Sequence, residues 1–289
     1  MKWIEALTKH NTMTRRGIAI RSKLFPVLHL LQVIGSGCKL QYCCRAALPS
    51  APCIYVANHS NCHDLPVMAR IINRPFFVLA SDEPKAEFAG LGLWLSGVIW
   101  SNREDKRQRS YAKELCVDCV RKGCDLLIFP EGTWNITQAR PMLPLSWGVI
   151  DIARATGVPI IPVALEYEKR QVVANMGRPY YVSSNDSADK KEQCDRLRDT
   201  MATLRWECWE SKGVFQHDDV TQKDYRQYSL ERIREYGLLT EKQISSWVLR
   251  QEPTEEQVFA CLKNVAISKR NAFLIRKNTE YFDYSNSTF

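Results

Sequence analysis

A histidine and an aspartate lie five positions apart at His59 and Asp64, within the sequence NHSNCHD of residues 58–64. Histidine suits proton transfer near neutral pH, because its unperturbed pKa is about 6.5. An aspartate that accepts a hydrogen bond from one ring nitrogen leaves the other nitrogen to act as a general base. Such a pair activates a nucleophile and contains none of its own. We therefore expect the attacking group to come from a substrate.

The apolar run that precedes the pair, Ile54–Ala57, is typical of a short buried strand. In α/β proteins ligands bind at the carboxyl ends of the strands, which is where His59 would lie. Five residues along a straight helix would place His59 and Asp64 about 140° apart, on different faces. The spacing therefore predicts that His59 lies on a strand-to-helix turn and Asp64 in the first helical turn.

A second strand, predicted at 125–129, is followed after Pro130 by Glu131, Gly132 and Thr133. Glu131 would project at the same edge of the sheet as His59. A glycine at this position allows a backbone to approach a ligand closely. Taken alone, a carboxylate after a strand is more often a helix cap or a surface residue.

A third strand, predicted at 98–101, is followed by Arg103. Arginine binds phosphate through two parallel hydrogen bonds. By itself Arg103 would be a surface residue paired with Glu104 or Asp105. Since three strand ends each carry a residue suited to chemistry or anion binding, we expect one common site.

The region 46–185 alternates short apolar runs with helical segments, which is the pattern of an α/β domain, and it contains the candidate catalytic residues His59 and Asp64. Strands are predicted at 53–57, 76–80, 98–101, 125–129, 159–166 and 179–183. Helices are predicted at 64–72, 85–95, 107–122 and 146–156.

Residues 1–45 carry eight Lys or Arg residues and one acidic residue, so they hold most of the chain's net charge of +8. The uncharged run 24–38 is too short to cross a bilayer, which requires about 20 apolar residues. We expect 1–45 to be a basic amphipathic segment that lies on an anionic membrane surface. The alternatives are a secretory signal peptide or a core-packed helix with a solvated basic face. The apolar residues predicted along one side are Ile18, Leu24, Leu28 and Leu31.

After residue 185 the chain becomes charged and helical, which predicts a helical C-terminal extension at 186–289. Amphipathic helices are predicted at 188–212 and 252–270, and no chemistry is assigned to them. The eleven cysteines of the chain lack metal-ligand spacing. They are therefore interpreted as reduced thiols in a cytosolic protein.

These residues together resemble the glycerolipid acyltransferase family, which includes the bacterial lysophosphatidic-acid acyltransferases. The resemblance covers roughly residues 50–185, about half of the chain. Four blocks carry it in order: N-H-x-x-x-x-D at Asn58–Asp64, G-x-I-x-x-x-R at Gly97–Arg103, F-P-E-G-T at Phe129–Thr133, and V-P-I-I-P-V at Val158–Val163.

The resemblance implies a mixed central sheet flanked by helices. It implies transfer of a fatty acyl group from acyl-CoA or acyl carrier protein to the free hydroxyl of a lysophospholipid, with 1-acyl-glycerol-3-phosphate as the expected acceptor. No cofactor, metal or nucleic-acid partner is expected. The protein would act at the cytoplasmic side of a membrane, as a peripheral or monotopic protein.

The catalytic residues that the resemblance implies are His59 and Asp64. His59 would remove the proton of the acceptor hydroxyl, which attacks the thioester, and would return a proton to the departing thiol. Asp64 would fix the tautomer of His59 and stabilise the imidazolium, as the aspartate of a hydrolytic triad does.

The substrate-binding residues that the resemblance implies are Arg103, Glu131, Gly132 and Thr133. Arg103 would hold the acceptor phosphate, and Glu131 would orient Arg103 or a glycerol hydroxyl. The sequence departs from the family at Trp134, where an arginine implicated in phosphate binding is common. This departure leaves the identity of the acceptor open.

Other interpretations of the same residues stay open. His59 and His63 have the i, i+4 spacing of a helical zinc pair, with Glu131 as a third ligand of a metal-dependent hydrolase, although the glutamate of H-E-x-x-H is absent. Cys62 could serve as a thiol nucleophile. The basic arm could belong to a membrane- or nucleic-acid-binding module, although Trp3 is the one aromatic residue near its start, which weakens base stacking.

Overall fold

The computed structural model describes residues 15–50, 52–61, 63–81, 97–102, 105–132, 135, 141–182 and 189–236. Six helices and seven strands lie within these ranges. In chain order they are α1 (Arg15–Ser36), β1 (Lys39–Arg45), β2 (Ile54–Ala57), α2 (Asp64–Ile72), β3 (Phe76–Ser81), β4 (Val98–Ser101), α3 (Lys106–Arg121), β5 (Asp125–Ile128), α4 (Gly148–Thr156), β6 (Ile160–Glu168), β7 (Gln171–Met176), α5 (Lys190–Ser211) and α6 (Gln222–Tyr236).

The seven strands form one mixed sheet in the order β1-β7-β6-β2-β5-β3-β4. Neighbouring strands run parallel except β6 and β7, which are antiparallel. The predicted α/β architecture, with a mixed central sheet flanked by helices, is confirmed.

Helices cover both faces of the sheet, and β2 shows how the core is divided. Ile54 and Val56 pack with buried residues of α3, α4 and α5. Tyr55 and Ala57 point to the other face and pack with buried residues of α2. Because both faces are covered, all four residues of β2 are buried, and the strand reads as a continuous apolar run.

Five of the six predicted strands are present, and the prediction of a strand at 179–183 is wrong for the described residues 179–182. Tyr180 forms only an isolated bridge with Ile160. The place beside β6 is taken by β7, which follows a tight turn with Lys169 at φ 53°. This hairpin was not predicted: β6 extends to Glu168, beyond the predicted end at 166, and no strand was predicted at Gln171–Met176, where β7 lies.

The edge strand β1 was also missed. It pairs with β7 on one side, and only Leu40 and Tyr42 are partly buried while the other five residues are exposed. An edge strand with such weak burial has no continuous apolar run, so its sequence, KLQYCCR, gives little strand signal.

The predicted helices at 64–72, 107–122, 146–156 and 188–212 are present, and each end lies within two residues of its predicted position. Helix α6 was not predicted individually. The segments predicted as helices at 85–95 and 252–270 lie outside the described residues.

Helix α1 packs against α2 and leaves an apolar stripe exposed. The predicted apolar side is wrong, because Ile18 and Leu28 line a groove against the start of β3, whereas Leu24 and Leu31 are exposed. The exposed stripe consists of Leu24, Val27, Leu30, Leu31 and Ile34. In the part of the chain that the structure describes, no helix is both long enough and apolar enough to span a membrane.

Candidate active site

The carboxyl ends of β2 and β5 bring the first and third sequence blocks together. The two strands are parallel neighbours, and Val56 lies opposite Ile128. The residues that follow, His59 after β2 and Glu131 after β5, therefore lie at the same edge of the sheet. This is the edge at which α/β proteins bind ligands.

His59 and Asp64 are in contact, as the spacing predicts. Nδ1 of His59 lies 2.7 Å from Oδ2 of Asp64. Asp64 is the first residue of α2, and its side chain is 1 % exposed, whereas that of His59 is 23 % exposed. A neutral imidazole that donates from Nδ1 carries its basic lone pair on Nε2. The pair thus combines a buried carboxylate with an imidazole that a substrate can reach.

The carboxylate of Asp64 is held by the turn that leads into α2. Its Oδ2 accepts hydrogen bonds from the backbone N–H groups of Ser60 at 2.8 Å and Asn61 at 2.9 Å. Three donors therefore converge on one oxygen. The other oxygen, Oδ1, is buried and has no hydrogen-bond partner among the described residues. These donors fix the orientation of the Asp64 side chain. They would still be present if Asp64 were protonated or replaced by asparagine.

The backbone and the ring of His59 are also fixed. Its N–H donates to Oε1 of Glu131 at 3.2 Å, and its carbonyl oxygen accepts from the N–H of Asn135 at 3.0 Å. The imidazole stacks on Phe129, with ring centroids 4.5 Å apart. Positioning of a catalytic group to this degree lowers the cost of reaching the reactive geometry.

Glu131 is fully buried and binds the protein's own backbone. Besides the N–H of His59, its carboxylate accepts the N–H of Leu143 at Oε2, at 2.8 Å. Burial raises the pKa of Glu131 to about 7, although the N–H of Leu143, the charge of Arg205 and the N–H of His59 oppose that rise. A carboxylate with a pKa in this range changes charge near neutral pH.

Asn58 links the site to the neighbouring strand β6. Its side-chain Nδ2 donates to the carbonyl oxygen of Leu165 at 2.9 Å, and its Oδ1 accepts from the N–H of Leu165 at 2.7 Å. The amide thus continues the β2–β6 ladder beyond the end of β2. Asn58 is the first residue of the N-H-x-x-x-x-D block, but no role was predicted for its side chain. The sequence alone does not show that β6 lies next to β2.

Gly132 forms the turn after β5. Its φ is 68°, in the left-handed region that favours glycine, and its N–H donates to the carbonyl oxygen of Phe129 at 3.0 Å. The turn directs the chain back over His59, whose ring stacks on Phe129.

The predicted substrate-binding residues Arg103 and Thr133 lie outside the described residues, as does Trp134. The strand that precedes Arg103, β4, ends at Ser101 and is separated from β2 by β5 and β3. At the usual strand spacing, the ends of β2 and β4 are about 14 Å apart. A ligand that reaches from His59 toward the end of β4 must therefore be extended.

The zinc and thiol interpretations receive no support from the described geometry. Among the described residues there is no group of three or more His, Cys, Asp or Glu side chains that could hold a metal ion. His63 directly precedes α2, and burial lowers its pKa, against the opposing effect of Asp64. Cys62 lies outside the described residues.

Comparison with known proteins adds an independent finding. Residues 41–166 match the family model described as Acyltransferase. The chain is 30 % identical to the chloroplastic 1-acyl-sn-glycerol-3-phosphate acyltransferase BAT2 of Brassica napus over 41 % of this chain and 34 % of the relative. It is 31 % identical to the 1-acyl-sn-glycerol-3-phosphate acyltransferase of Salmonella typhimurium over 42 % of this chain and 50 % of the relative. The chain thus spans between a third and a half of these relatives.

The fold is similar to that of a solved structure, the 1-acyl-sn-glycerophosphate (LPA) acyltransferase PlsC from Thermotoga maritima. The TM-score is 0.52, and the match covers 74 % of this chain and 89 % of PlsC. The sequences are 14 % identical over this match. The likeness therefore shows a shared fold.

Proposed function

We propose that this chain, of which residues 41–166 match the Acyltransferase family model, transfers a fatty acyl group from a thioester donor to the free hydroxyl of a lysophospholipid. The expected acceptor is 1-acyl-sn-glycerol-3-phosphate, which would give phosphatidic acid. The names of the relatives from Brassica napus and Salmonella typhimurium support this acceptor.

The observation that carries the proposal is the 2.7 Å contact between His59 Nδ1 and Asp64 Oδ2 at the carboxyl edge of the sheet. The geometry places an imidazole in contact with a buried carboxylate, and in this proposal the imidazole is the general base. A pair of this kind activates an external nucleophile, and a lysophospholipid supplies a hydroxyl. The partial exposure of His59 gives that hydroxyl access to Nε2.

The proposed reaction proceeds by direct transfer. Nε2 of His59 takes the proton of the acceptor hydroxyl while the oxygen of that hydroxyl attacks the carbonyl carbon of the thioester. The carbon–oxygen bond forms, the tetrahedral intermediate collapses, and the carbon–sulfur bond breaks. The imidazolium then gives its proton to the departing thiolate, which leaves as a free thiol. Asp64 stabilises the imidazolium between the two proton transfers.

In this proposal Glu131 is a positioning residue. Its two described hydrogen bonds hold the backbone of His59 and of Leu143. The role that the resemblance implies for Glu131, which is to orient Arg103 or a glycerol hydroxyl, is a further part of the proposal. Arg103 is proposed to bind the acceptor phosphate, with Gly132 and Thr133 in the adjoining turn.

We further propose that the protein works at an anionic membrane surface, on the side that supplies acyl-CoA or acyl carrier protein. Helix α1 supports this, because it exposes an apolar stripe in which Val27 is 60 % and Ile34 is 68 % exposed. An apolar helix face flanked by cations binds in the headgroup layer. The nine described cysteines are free thiols, in keeping with a reducing compartment such as the cytosol.

The test is a product analysis with a defined panel. Purified protein is mixed with vesicles that contain one lysolipid each, namely lysophosphatidic acid, lysophosphatidylcholine, lysophosphatidylglycerol or monoacylglycerol. Each is offered acyl-CoA and, separately, acyl carrier protein loaded with the same chain. Mass spectrometry should find phosphatidic acid as the main diacyl product.

The panel also separates the alternatives that the sequence left open. A main product from another lysolipid would keep the reaction and replace the acceptor, as the Trp134 departure allows. Release of free fatty acid without any diacyl product would contradict acyl transfer. Activity that is lost with chelator and restored by zinc would favour a metal-dependent hydrolase.

A further inference from the structure

The C-terminal helices carry a buried ionic cluster that reaches the active site. Arg205 of α5 is 8 % exposed, and its Nε donates to Oε2 of Glu166 on β6 at 3.1 Å. Its Nη1 donates to the carbonyl oxygen of Pro141 at 2.7 Å. The guanidinium also lies over the ring of Trp209. Arg205 therefore ties three parts of the chain together.

The contact with Pro141 connects Arg205 to His59. Two residues beyond Pro141, the N–H of Leu143 donates to Glu131, whose other oxygen accepts the N–H of His59. A continuous path thus runs from α5 through the 141–143 segment and Glu131 to the backbone of His59. Each step is a hydrogen bond or a short run of chain.

Buried acidic and basic side chains lie together in this region. Two buried glutamates, Glu131 and Glu166, lie in the same region as two buried arginines, Arg205 and Arg232. Burial would raise the pKa of Glu166, but the charges of Arg205 and Arg232, together with side-chain hydrogen bonds, outweigh burial, and the pKa of Glu166 lies below the ordinary value. Tyr228 donates a further hydrogen bond to Glu166 at 3.1 Å. A buried charge without such partners would be strongly destabilising.

We propose that Arg205 is a positioning residue of the active site, which holds the 141–143 segment against Glu131 and, through its positive charge, favours the ionised form of Glu131 that accepts the N–H groups of Leu143 and His59. The proposal rests on the proposed function for its effect on the reaction. It gives helix α5, to which the sequence assigned no chemistry, a part in the catalytic geometry.

The charge environment of Glu131 supports the direction of this effect. The groups that face it include Asp64 of α2, which raises its pKa, and Arg205 of α5, which lowers it. Tyr225 of α6 also lies within electrostatic range, and burial raises the pKa of its hydroxyl to about 12, so it is neutral at pH 7. Loss of the Arg205 charge should therefore raise the pKa of Glu131 further, so that a larger fraction of Glu131 is protonated at pH 7. A carboxylic acid has one acceptor oxygen fewer for the two N–H donors.

The test uses the paired variant Glu166→Gln with Arg205→Gln, because Arg205→Gln alone would leave Glu166 with a single guanidinium partner. In the paired variant Arg232 keeps its 2.9 Å contact with Glu235. The acid limb of the pH profile of kcat/KM should move upward by about one pH unit. At pH 7, kcat should fall more than KM changes, because binding of the acceptor does not involve Arg205.

The matched control is Glu166→Gln with Arg232→Gln, which removes the same glutamate together with the other guanidinium. Arg232 has the same exposure as Arg205 and contacts the same glutamate at 3.3 Å, and a further described contact of Arg232 is with Glu235. The control variant should be less stable than wild type and should leave the acid limb in place. An equal upward shift in the control variant and in the paired variant would overturn the proposal, since a general structural role would then explain both.

A second measurement does not depend on catalysis. In protein labelled with ¹³C at glutamate side-chain carboxyls, the Glu131 resonance, assigned with Glu131→Gln, should titrate near pH 7 and move upward in the paired variant. An unchanged titration would overturn the coupling. A wild-type protein that transfers no acyl group would instead overturn the proposed function, while the Glu131 titration would still decide the coupling.

Discussion

Replacement of Asp64 by asparagine tests how the carboxylate supports His59. Three donors converge on Oδ2, namely the N–H groups of Ser60 and Asn61 and Nδ1 of His59. In Asp64→Asn the amide oxygen must take the place of Oδ2, because an NH₂ group there would meet three donors. The tautomer of His59 with its proton on Nδ1 is therefore kept, and the change removes mainly the negative charge.

The expected magnitude follows from that geometry. A hydrogen bond to a charged group contributes about 1.5–3 kcal/mol, so kcat should fall by about 10- to 150-fold. In a Ser-His-Asp triad, an amide that imposes the wrong tautomer lowers kcat by about 10⁴-fold. The amide Nδ2 would occupy the position of the unpaired Oδ1, and a buried donor without a partner should cost about 1–3 kcal/mol of stability.

The assay compares initial rates of diacyl product for wild type, Asp64→Asn and Asp64→Ala at pH 7.5, after thermal unfolding has shown that each variant is folded. Asp64→Ala should lose more activity than Asp64→Asn, because it leaves all three donors without their acceptor. A rate for Asp64→Asn within twofold of wild type would refute a role for the charge. A rate as low as that of His59→Ala would refute retention of the tautomer.

Two further predictions concern Glu131 and α1. The pKa of Glu131, about 7 in the folded protein against 4.5 as its ordinary value, means that its contribution to stability is full below pH 4.5 and is lost as pH rises through about 7. By urea denaturation, the unfolding free energy of wild type relative to Glu131→Gln should fall by about 3 kcal/mol across that window, and a pH-independent difference would contradict the raised pKa. Val27→Asp with Leu31→Asp should weaken sedimentation with anionic vesicles at least about tenfold, because buried aliphatic side chains contribute about 1.5–3 kcal/mol each. Tyr111→Asp, at an apolar side chain that is 58 % exposed on α3, is the control, and equal loss in both variants would contradict the proposed surface.

The parts of the fold that the sequence predicted are those with a strong local signal. Strands β2 and β5 are short apolar runs buried on both faces, and α2 has regularly spaced apolar residues with Val67, Met68 and Ile71 buried. The contact between His59 and Asp64 follows from a strand-to-helix turn between β2 and α2 and needs no knowledge of the rest of the fold. These features depend on residues close together in the chain.

The contacts that the sequence did not predict join residues far apart. Asn58 binds Leu165, 107 positions away, and Glu131 binds the N–H of His59, 72 positions away. Both contacts depend on the order of strands in the sheet, since β6 and β5 flank β2. Local pattern does not determine that order.

The buried charged side chains were also not predicted from the sequence. Arg205 lies on α5 among other charged residues, and its sequence resembles a solvated helix face. Only the packing of α5 on β6 brings it to Glu166, 39 positions earlier. The same limit applies to β1, whose place at the edge of the sheet is set by its pairing with β7.

The central claim is that His59 is the general base of an acyl transfer, and the most direct measurement compares His59→Ala with His63→Ala. Both histidines lie in the same seven-residue segment, but Asp64 accepts a hydrogen bond from His59. With the best donor and acceptor, His59→Ala should lower the initial rate of diacyl product by about 10²- to 10⁴-fold. His63→Ala should stay within about threefold of wild type, because no side-chain hydrogen bond between His63 and Asp64 is described and changes outside a buried hydrogen-bond network cost little. A His59→Ala protein that kept full transfer, or a His63→Ala protein equally inactive, would contradict the claim.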